Sequence, residues 1–582
     1  MGISAQKPDA GGHAPAAQSP DNPPGAFGRW SELVICAVVF AAFSPCLQAR
    51  FVNWDDPAFL LENPVVRNLS TRNIFAIFAG FHADYYAPLV FLSFALERAV
   101  WGFNPVGYHA VNILLHCGSA CLAFRLLKSL RARPIFAFWF SLAWAVHPMK
   151  VESAAWITER KDVLCGFFTI ASLVSYTGFI RSNRRSRYMA SLGLALAALM
   201  CKGMALTIPL ILVIIDGIEG ASLNRRRMIE KLPFFALSVI FGIITYIAQE
   251  RGEVTSSSGI LNIGNNLLIA AYSVCFHLGR LLLPVRLSAV YSLPAPISIG
   301  NFIYASSLLI TIGAAFLIIL RRQSIPSIAM GFAWFYAAFF PVAQFIPLRI
   351  PLADRYMYLP SLALAWTICA VMQKRLHSAK AKRLAQTLAG MIVLLLALAS
   401  FNRAHVWRDS PTLWQDVLAG NPDQWEAHLN LGHYYANRSN PDPAKAAMHY
   451  EIALRNNPQS DNAAYNLGNI RMRAGRYEEA AALFQRALSI RPGRKDAKVN
   501  LACCRVQMGR FEEAISIYDR LIVENPNLPE PLYSRASVLL HMGRLNDAEL
   551  DCRRALEIDP GCAPARETLS RIAEARRNAS DR

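Results

Sequence analysis

Charge is scarce in this sequence. Only 17% of its residues are charged, against about 25% in an ordinary soluble domain, so much of the chain must face something other than water. Metal-ligand spacing and a disulfide framework are missing too. Eight of the twelve cysteines (Cys36, Cys46, Cys117, Cys121, Cys165, Cys201, Cys275, Cys369) lie in or beside apolar runs, where they act as small hydrophobes. Cys503-Cys504 is a neighbouring pair on a predicted helix and reads as packing. No internal duplication and no pair of Gly/Pro-broken apolar segments is visible, which argues against a transporter. The net charge of +19 does not point to nucleic acid. Its Lys and Arg sit in short clusters between apolar runs: Lys128–Arg133, Arg181–Arg187, Arg225–Lys231, Arg321–Arg322 and Lys374–Arg383. That is the positive-inside pattern of a membrane protein.

What is present divides in two. Residues 1–28, rich in Pro, Ala, Gly and Asp, read as a disordered tail. Long apolar runs then fill 29–405, the expected transmembrane domain, and the first of them, Leu33–Ala49, reads as an uncleaved signal-anchor. A span needs about 20 apolar residues. With the N-terminus in the cytoplasm and about 11 spans, every basic cluster falls on the cytoplasmic side. This count leaves out 87–102, which carries Glu97 and Arg98 and is expected along the membrane surface, and 264–284, which carries His277 and Arg280. Four connections then face the far side: 50–107, 147–162, 249–300 and 341–356. The C-terminal third joins them there.

That last third is polar and periodic. Proline recurs every 34 residues at Pro458, Pro492, Pro526 and Pro560, and Gly-Arg recurs with the same period at 475, 509 and 543. This is the period of tetratricopeptide repeats (TPRs). Leu431-Gly432, Leu467-Gly468 and Leu501-Ala502 fall in the first helices, Ala446, Ala480, Ala514 and Ala548 where the second helix must come close, and Tyr450, Phe484 and Tyr518 in the adjacent hole. Residues 406–424 form a linker with a partial repeat helix, 425–560 four repeats, and 561–582 a capping helix and tail. The fold class is all-α, a polytopic membrane bundle followed by a TPR solenoid. Such a solenoid offers a concave face to peptide or a partner helix.

Polar groups at span ends are functional candidates because charge at membrane depth is costly. Four far-side clusters stand out. Asn53-Trp54-Asp55-Asp56-Pro57 places two carboxylates side by side, suited to a general base or a divalent metal, or else to a solvated turn. His147-Pro148-Met149-Lys150-Val151-Glu152, with Glu159-Arg160-Lys161-Asp162 behind it, suits phosphate binding or internal ion pairing. Lys202 lies in a very short turn, where it either serves the site or snorkels to the interface. Asp354-Arg355-Tyr356 suits an anionic headgroup or an aromatic anchor. All four fall on one side of the topology, as one site would.

In this order, the residues resemble the transmembrane-plus-TPR protein O-mannosyltransferases of the cadherin-directed type and their bacterial homologues, within the GT-C glycosyltransferases. The resemblance runs from about Phe51 to the end. Its carriers are Phe51 to Asp56, Tyr86-Ala87-Pro88-Leu89, Asn104 to His109 with Asn112 and His116, His147-Pro148, Glu152, Arg160 to Asp162, Lys202, Asp216 and Ala353 to Tyr356. It implies a GT-C-like bundle and an inverting transfer of a sugar from a polyprenyl-phosphate donor to a hydroxyl of a protein acceptor. It implies a catalytic base in the first external loop, Asp55 or Asp56, with Asp56 preferred because Pro57 fixes its backbone. Arg160, Lys161, Lys202 and Arg355 would bind the donor phosphate. His147, Glu152, Tyr86, His109 and Tyr356 would support the site. Membrane lipid, the lipid-linked donor and a protein acceptor on the TPRs are the implied partners, with no nucleic acid. No cofactor is assigned beyond the lipid-linked donor, and the Asp pair leaves a divalent metal open. Short loops suit a bacterial inner membrane with periplasmic TPRs, or an endoplasmic reticulum with lumenal ones. The segment departs from the family at Ala87, where relatives carry Arg, which leaves the sugar open. An O-antigen-ligase-like or polymerase-like enzyme is the alternative, and a membrane-anchored TPR scaffold the non-enzymatic one. The former would concentrate basic residues in a large late loop, and the largest polar loop here is early.

Overall fold

The computed structural model describes residues 26–221, 224–251, 263–345, 348 and 350–580. Most of the tail expected at 1–28 lies outside the described residues. The described chain is helical throughout and contains no strand, only an isolated bridge between His82 and Tyr85.

Among the described residues six helices are long and apolar enough to cross a membrane: Trp30–Gln48, Pro105–Ser129, Ile157–Ser182, Arg225–Ala248, Phe302–Arg321 and Ala379–Trp407. Pro134–Ala145 and Pro326–Val342 are shorter apolar helices. Their placement follows from their sequences. Pro105–Ser129 and Ile157–Ser182 carry small and polar residues and are mostly enclosed by protein, whereas the apolar stretches of Phe302–Arg321 and Ala379–Trp407 are barely covered. Leu309, Phe316, Leu394 and Leu395 stand exposed on these last two, a surface far too apolar for water and suited to lipid tails. The chain is therefore a membrane protein.

The helix at Pro88–Trp101 has 14 residues, about 21 Å of rise, too little for a hydrocarbon core of about 30 Å. It does not simply lie along a surface, however. Its Glu97 is buried and turned inward onto Arg160. Residues 264–284 form one helix, Ile263–Leu282, which is not among the six. It packs on Phe302–Arg321, and its buried His277 reaches the Ala353 carbonyl at 3.0 Å.

The repeats are four helix pairs, from Trp425–Asn437 with Pro443–Asn456 to Pro529–His541 with Leu545–Ile558, closed by Ala563–Ser580. The periodic residues do what their size dictates. Ala446, Ala480, Ala514 and Ala548 are fully buried between paired helices. A Cβ on Gly432 would meet the Tyr450 ring at 2.6 Å, and one on Gly468 the Phe484 ring at 2.8 Å. The turns at Gly475, Gly509 and Gly543 take φ of 74°, 73° and 77°, a region open to glycine at no steric cost.

Candidate active site

The first polar loop follows Trp30–Gln48. At its end Asp55 and Asp56 part company. Asp56 is 1% exposed. Its Oδ2 accepts the Val52 N–H at 2.8 Å and its Oδ1 the Trp156 indole N–H at 3.1 Å. Burial pushes its carboxyl up to about 7. Both oxygens are spent on closing the loop. The Asp55 side chain is 32% exposed, with Oδ2 3.6 Å from the Lys161 ammonium. A base must reach the proton it takes, and of the two only Asp55 presents an open carboxylate. The geometry thus favours Asp55, where the sequence favoured Asp56. Among the described residues no group of three or more His, Cys, Asp or Glu is placed to hold a metal ion.

Glu159 is the hub of the charges around Asp55. Lys161 stands 3.4 Å from its Oε1, Lys202 3.0 Å from its Oε2 and the Arg355 Nε 3.6 Å from Oε1. Lys202 also reaches Asp162 at 2.7 Å. Burial works against the Lys202 ammonium, but Asp162 and Glu159 outweigh it and hold its pKa up, so the charge persists. Arg355 pairs with Glu152, which also accepts the Arg355 backbone N–H at 2.9 Å. Lys161 packs over the rings of Phe59 at 4.3 Å and Tyr85 at 4.6 Å. Residues from all four sequence clusters thus meet: three cations fixed by carboxylates, beside one open carboxylate. Such an array can take a proton at Asp55 and steady an anion forming next to it without reorganising.

Arg160, His147 and His109 stand outside this cluster, and Tyr86 and Tyr356 serve beside it. Arg160 is 0% exposed and belongs to a different network. It pairs with Glu97 and Asn112 and donates to the Tyr108 carbonyl at 2.9 Å. Its donors are committed, so it is a tie between helices and not a phosphate ligand. His147 caps the turn Pro148–Lys150, accepting the Met149 N–H at 3.3 Å, and its Nε2 meets the Leu281 carbonyl at 3.0 Å. Neither nitrogen is available to a phosphate. His109 is buried. Tyr86 donates to the Phe78 carbonyl at 3.1 Å and Tyr356 to the Ile350 carbonyl at 2.6 Å, which places both as loop supports.

Sequence reasoning missed the wall that the repeats add to this loop. Asn53, two residues before Asp55, donates its backbone N–H to Ser410 Oγ at 2.9 Å and its side-chain NH2 to the Asn430 carbonyl at 2.7 Å, and accepts the Trp414 indole N–H at 2.9 Å. Trp54 stacks on Trp156 with centroids 4.2 Å apart, Trp156 on Trp407 at 5.6 Å, and Trp414 leans on Trp54 at 5.1 Å. The linker helix Ser410–Gly420 and the first repeat are therefore part of the site's frame. The only hint in sequence was the tryptophan beside the Asp pair.

The tetratricopeptide repeat family matches at residues 438–495, 471–537 and 529–562. Over a much longer stretch the chain is similar to proteins named protein O-mannosyl-transferases. One from Caenorhabditis elegans is 26% identical over 447 residues, 72% of this chain and 62% of the relative. One from Mus musculus is 23% identical, across 69% of this chain and 47% of the relative. One from Homo sapiens is 24% identical, across 71% and 65%. The chain thus spans between about half and two thirds of the length of the relatives it matches.

Proposed function

We propose that this membrane protein is a protein glycosyltransferase of the GT-C type. It moves a sugar, mannose if it follows the names of its relatives, from a polyprenyl-phosphate donor to a hydroxyl of a protein acceptor. The observation that carries the reading is Asp55, an open carboxylate 3.6 Å from Lys161, in a cage where Lys161, Lys202 and Arg355 are all fixed on Glu159. The proposed side is the far side of the membrane, periplasmic if the membrane is a bacterial inner one.

The chemistry is a single displacement. Asp55 takes the proton of the acceptor hydroxyl as its oxygen attacks the anomeric carbon. The bond from that carbon to the phosphate oxygen breaks on the opposite face, and the anomeric configuration inverts. The polyprenyl phosphate departs as an anion, so it needs positive charge and no proton. Lys161, Lys202 and Arg355 supply that charge where it develops. Asp56 holds the loop that presents Asp55, and the repeats hold the acceptor.

The reading is tested in membranes containing the protein, with a radiolabelled polyprenyl-phosphate mannose and a panel of other sugars. It expects label on a protein hydroxyl, with a linkage inverted relative to the donor. No transfer from any sugar of the panel, or transfer with retained configuration, overturns it.

A further inference from the structure

Two arginines meet where the last apolar helix, Ala379–Trp407, passes the turn that follows Ile263–Leu282. Along the helix Ile392, Leu395, Ala399 and Arg403 recur three or four positions apart, so they share one face. Ile392 and Leu395 stand exposed on it. Ala399 and Arg403 line a cavity of about 280 Å³, which Pro284 and Arg286 close from the turn and Val406 and Asp416 from the side of the linker helix. Hydrogen bonds fix the turn. The Leu283 N–H donates to the Gly279 carbonyl at 2.9 Å, the Val285 N–H to the Leu283 carbonyl at 2.8 Å, and the Arg280 guanidinium to the Val285 carbonyl. They hold Arg286 at a φ of 52°, a region that strains most residues other than glycine. Its side chain is exposed and, among the described residues, has no hydrogen-bond or ion-pair partner. Arg403 faces the cavity from the other side. Its side chain is 12% exposed and donates through Nη1 to Asp416 Oδ2 at 2.6 Å, which occupies one edge of a group with five N–H donors.

We infer that this cavity holds the phosphate of an anionic phospholipid whose acyl chains lie along the exposed face of the helix. Two guanidiniums and one carboxylate leave the cavity positive, and the planar fork of a guanidinium matches a phosphate. Basic pockets between membrane helices take anionic headgroups on the same grounds. The apolar surface selects a lipid over a soluble anion. Eleven residues separate Ile392 from Arg403, a rise of about 16–17 Å, close to half of a hydrocarbon core of about 30 Å. One acyl chain of one leaflet therefore fits between Arg403 and Ile392. Beside the turn, Leu282 is 86% exposed and Leu283 is exposed too, a wall for the second chain. Asp416 stands on Ser410–Gly420, the helix that packs on the Asp loop, so a lipid bound here ties the bilayer to the seat of the repeats. The lipid site stands whether or not Asp55 is a base.

The experiment follows the thermal midpoint of the purified full chain in detergent as lipid is added. Phosphatidylglycerol should raise it, and phosphatidylcholine with the same acyl chains should not. Glycerol phosphate, the headgroup without the chains, should have no effect at matching concentration. Arg286→Asn removes the charge and installs a residue that tolerates the left-handed backbone, so its midpoint without lipid should equal that of the wild type. It should need about fivefold more phosphatidylglycerol for the same shift. Lipid counted by native mass spectrometry gives the same comparison if the variant's own midpoint differs. Arg322→Gln, at an exposed arginine after another helix, should titrate like the wild type. Any shift produced by a polyprenyl phosphate without sugar should survive Arg286→Asn. Equal shifts from the two phospholipids, no shift from either, or an unaltered titration in Arg286→Asn overturns the inference. So does equal weakening by Arg322→Gln or a full shift from glycerol phosphate. A polyprenyl-phosphate shift lost in Arg286→Asn also overturns it, and gives the cavity to the sugar donor.

Discussion

At the scale of single residues, adjacent positions have opposite jobs. Asp55 and Asp56 are the same in sequence, and only packing separates the open carboxylate from the one whose oxygens are filled. Arg160 and Lys161 are adjacent on one helical turn, about 100° apart, so one faces Glu97 and the other Asp55. Neither distinction was legible in the sequence, because both depend on partners 63 to 106 residues away. Two predictions follow from these partners. The Asp56 carboxyl is pushed up to about 7 by burial, above an unfolded value of about 3.9. The folded protein therefore binds more protons between those pH values, and stability falls as pH rises through that window. Asp56→Asn should flatten that part of a plot of thermal midpoint against pH in detergent, and an unaltered slope would contradict the burial assigned to it. Arg160→Ala leaves Glu97 charged and buried, at a cost of about 3–5 kcal/mol, seen as lost abundance and a lower midpoint. Arg160→Met with Glu97→Leu should recover most of both, together with sugar transfer. A stable double variant without transfer would return Arg160 to the site.

At the scale of elements, the repeats were legible and their seat was not. A period of 34 residues is written into the chain at Pro458, Pro492, Pro526 and Pro560, and helix pairing follows from small residues meeting large rings. Nothing periodic announces that Ser410–Gly420 packs on the Asp loop. That contact joins Asn53 to Trp414 and Asn430 across more than 350 residues of sequence, by hydrogen bonds of 2.7–2.9 Å. Trp414→Ala removes a fully buried indole from this seat, at a cost of about 3–5 kcal/mol. Hydrogen exchange should then quicken in 410–437 and in 50–57 together. Quickening confined to the repeat would show that the two are not mechanically joined. Within the solenoid, Gly468→Ala drives a methyl into the Phe484 ring and should destabilise that repeat by about 1–3 kcal/mol, read as a lower unfolding midpoint of the repeat region.

At the scale of the whole molecule, low charge and long apolar runs marked the membrane half, and the direction read from the basic clusters is a prediction. The number of crossings was less legible, because several apolar helices are too short to declare themselves by length: Pro134–Ala145 has 12 residues and Pro88–Trp101 has 14. The convergence of the site was legible in outline, since four separated charge clusters were expected on one face; three of them meet at Glu159, and Asp55 of the first joins through Lys161. The topology predicts that a C-terminal epitope tag resists protease in sealed cytoplasm-side-out vesicles and is lost once detergent opens them. The central claim is that the molecule is assembled to present Asp55 to a hydroxyl beside a lipid-linked sugar. Its most direct test is single-turnover sugar transfer by purified, reconstituted wild type, Asp55→Asn and Asp56→Asn at equal folded amounts. The account predicts a loss of about 10²–10⁴-fold for Asp55→Asn, as expected for removal of a general base, and a much smaller one for Asp56→Asn. Full activity in Asp55→Asn, or loss confined to Asp56→Asn, would contradict it.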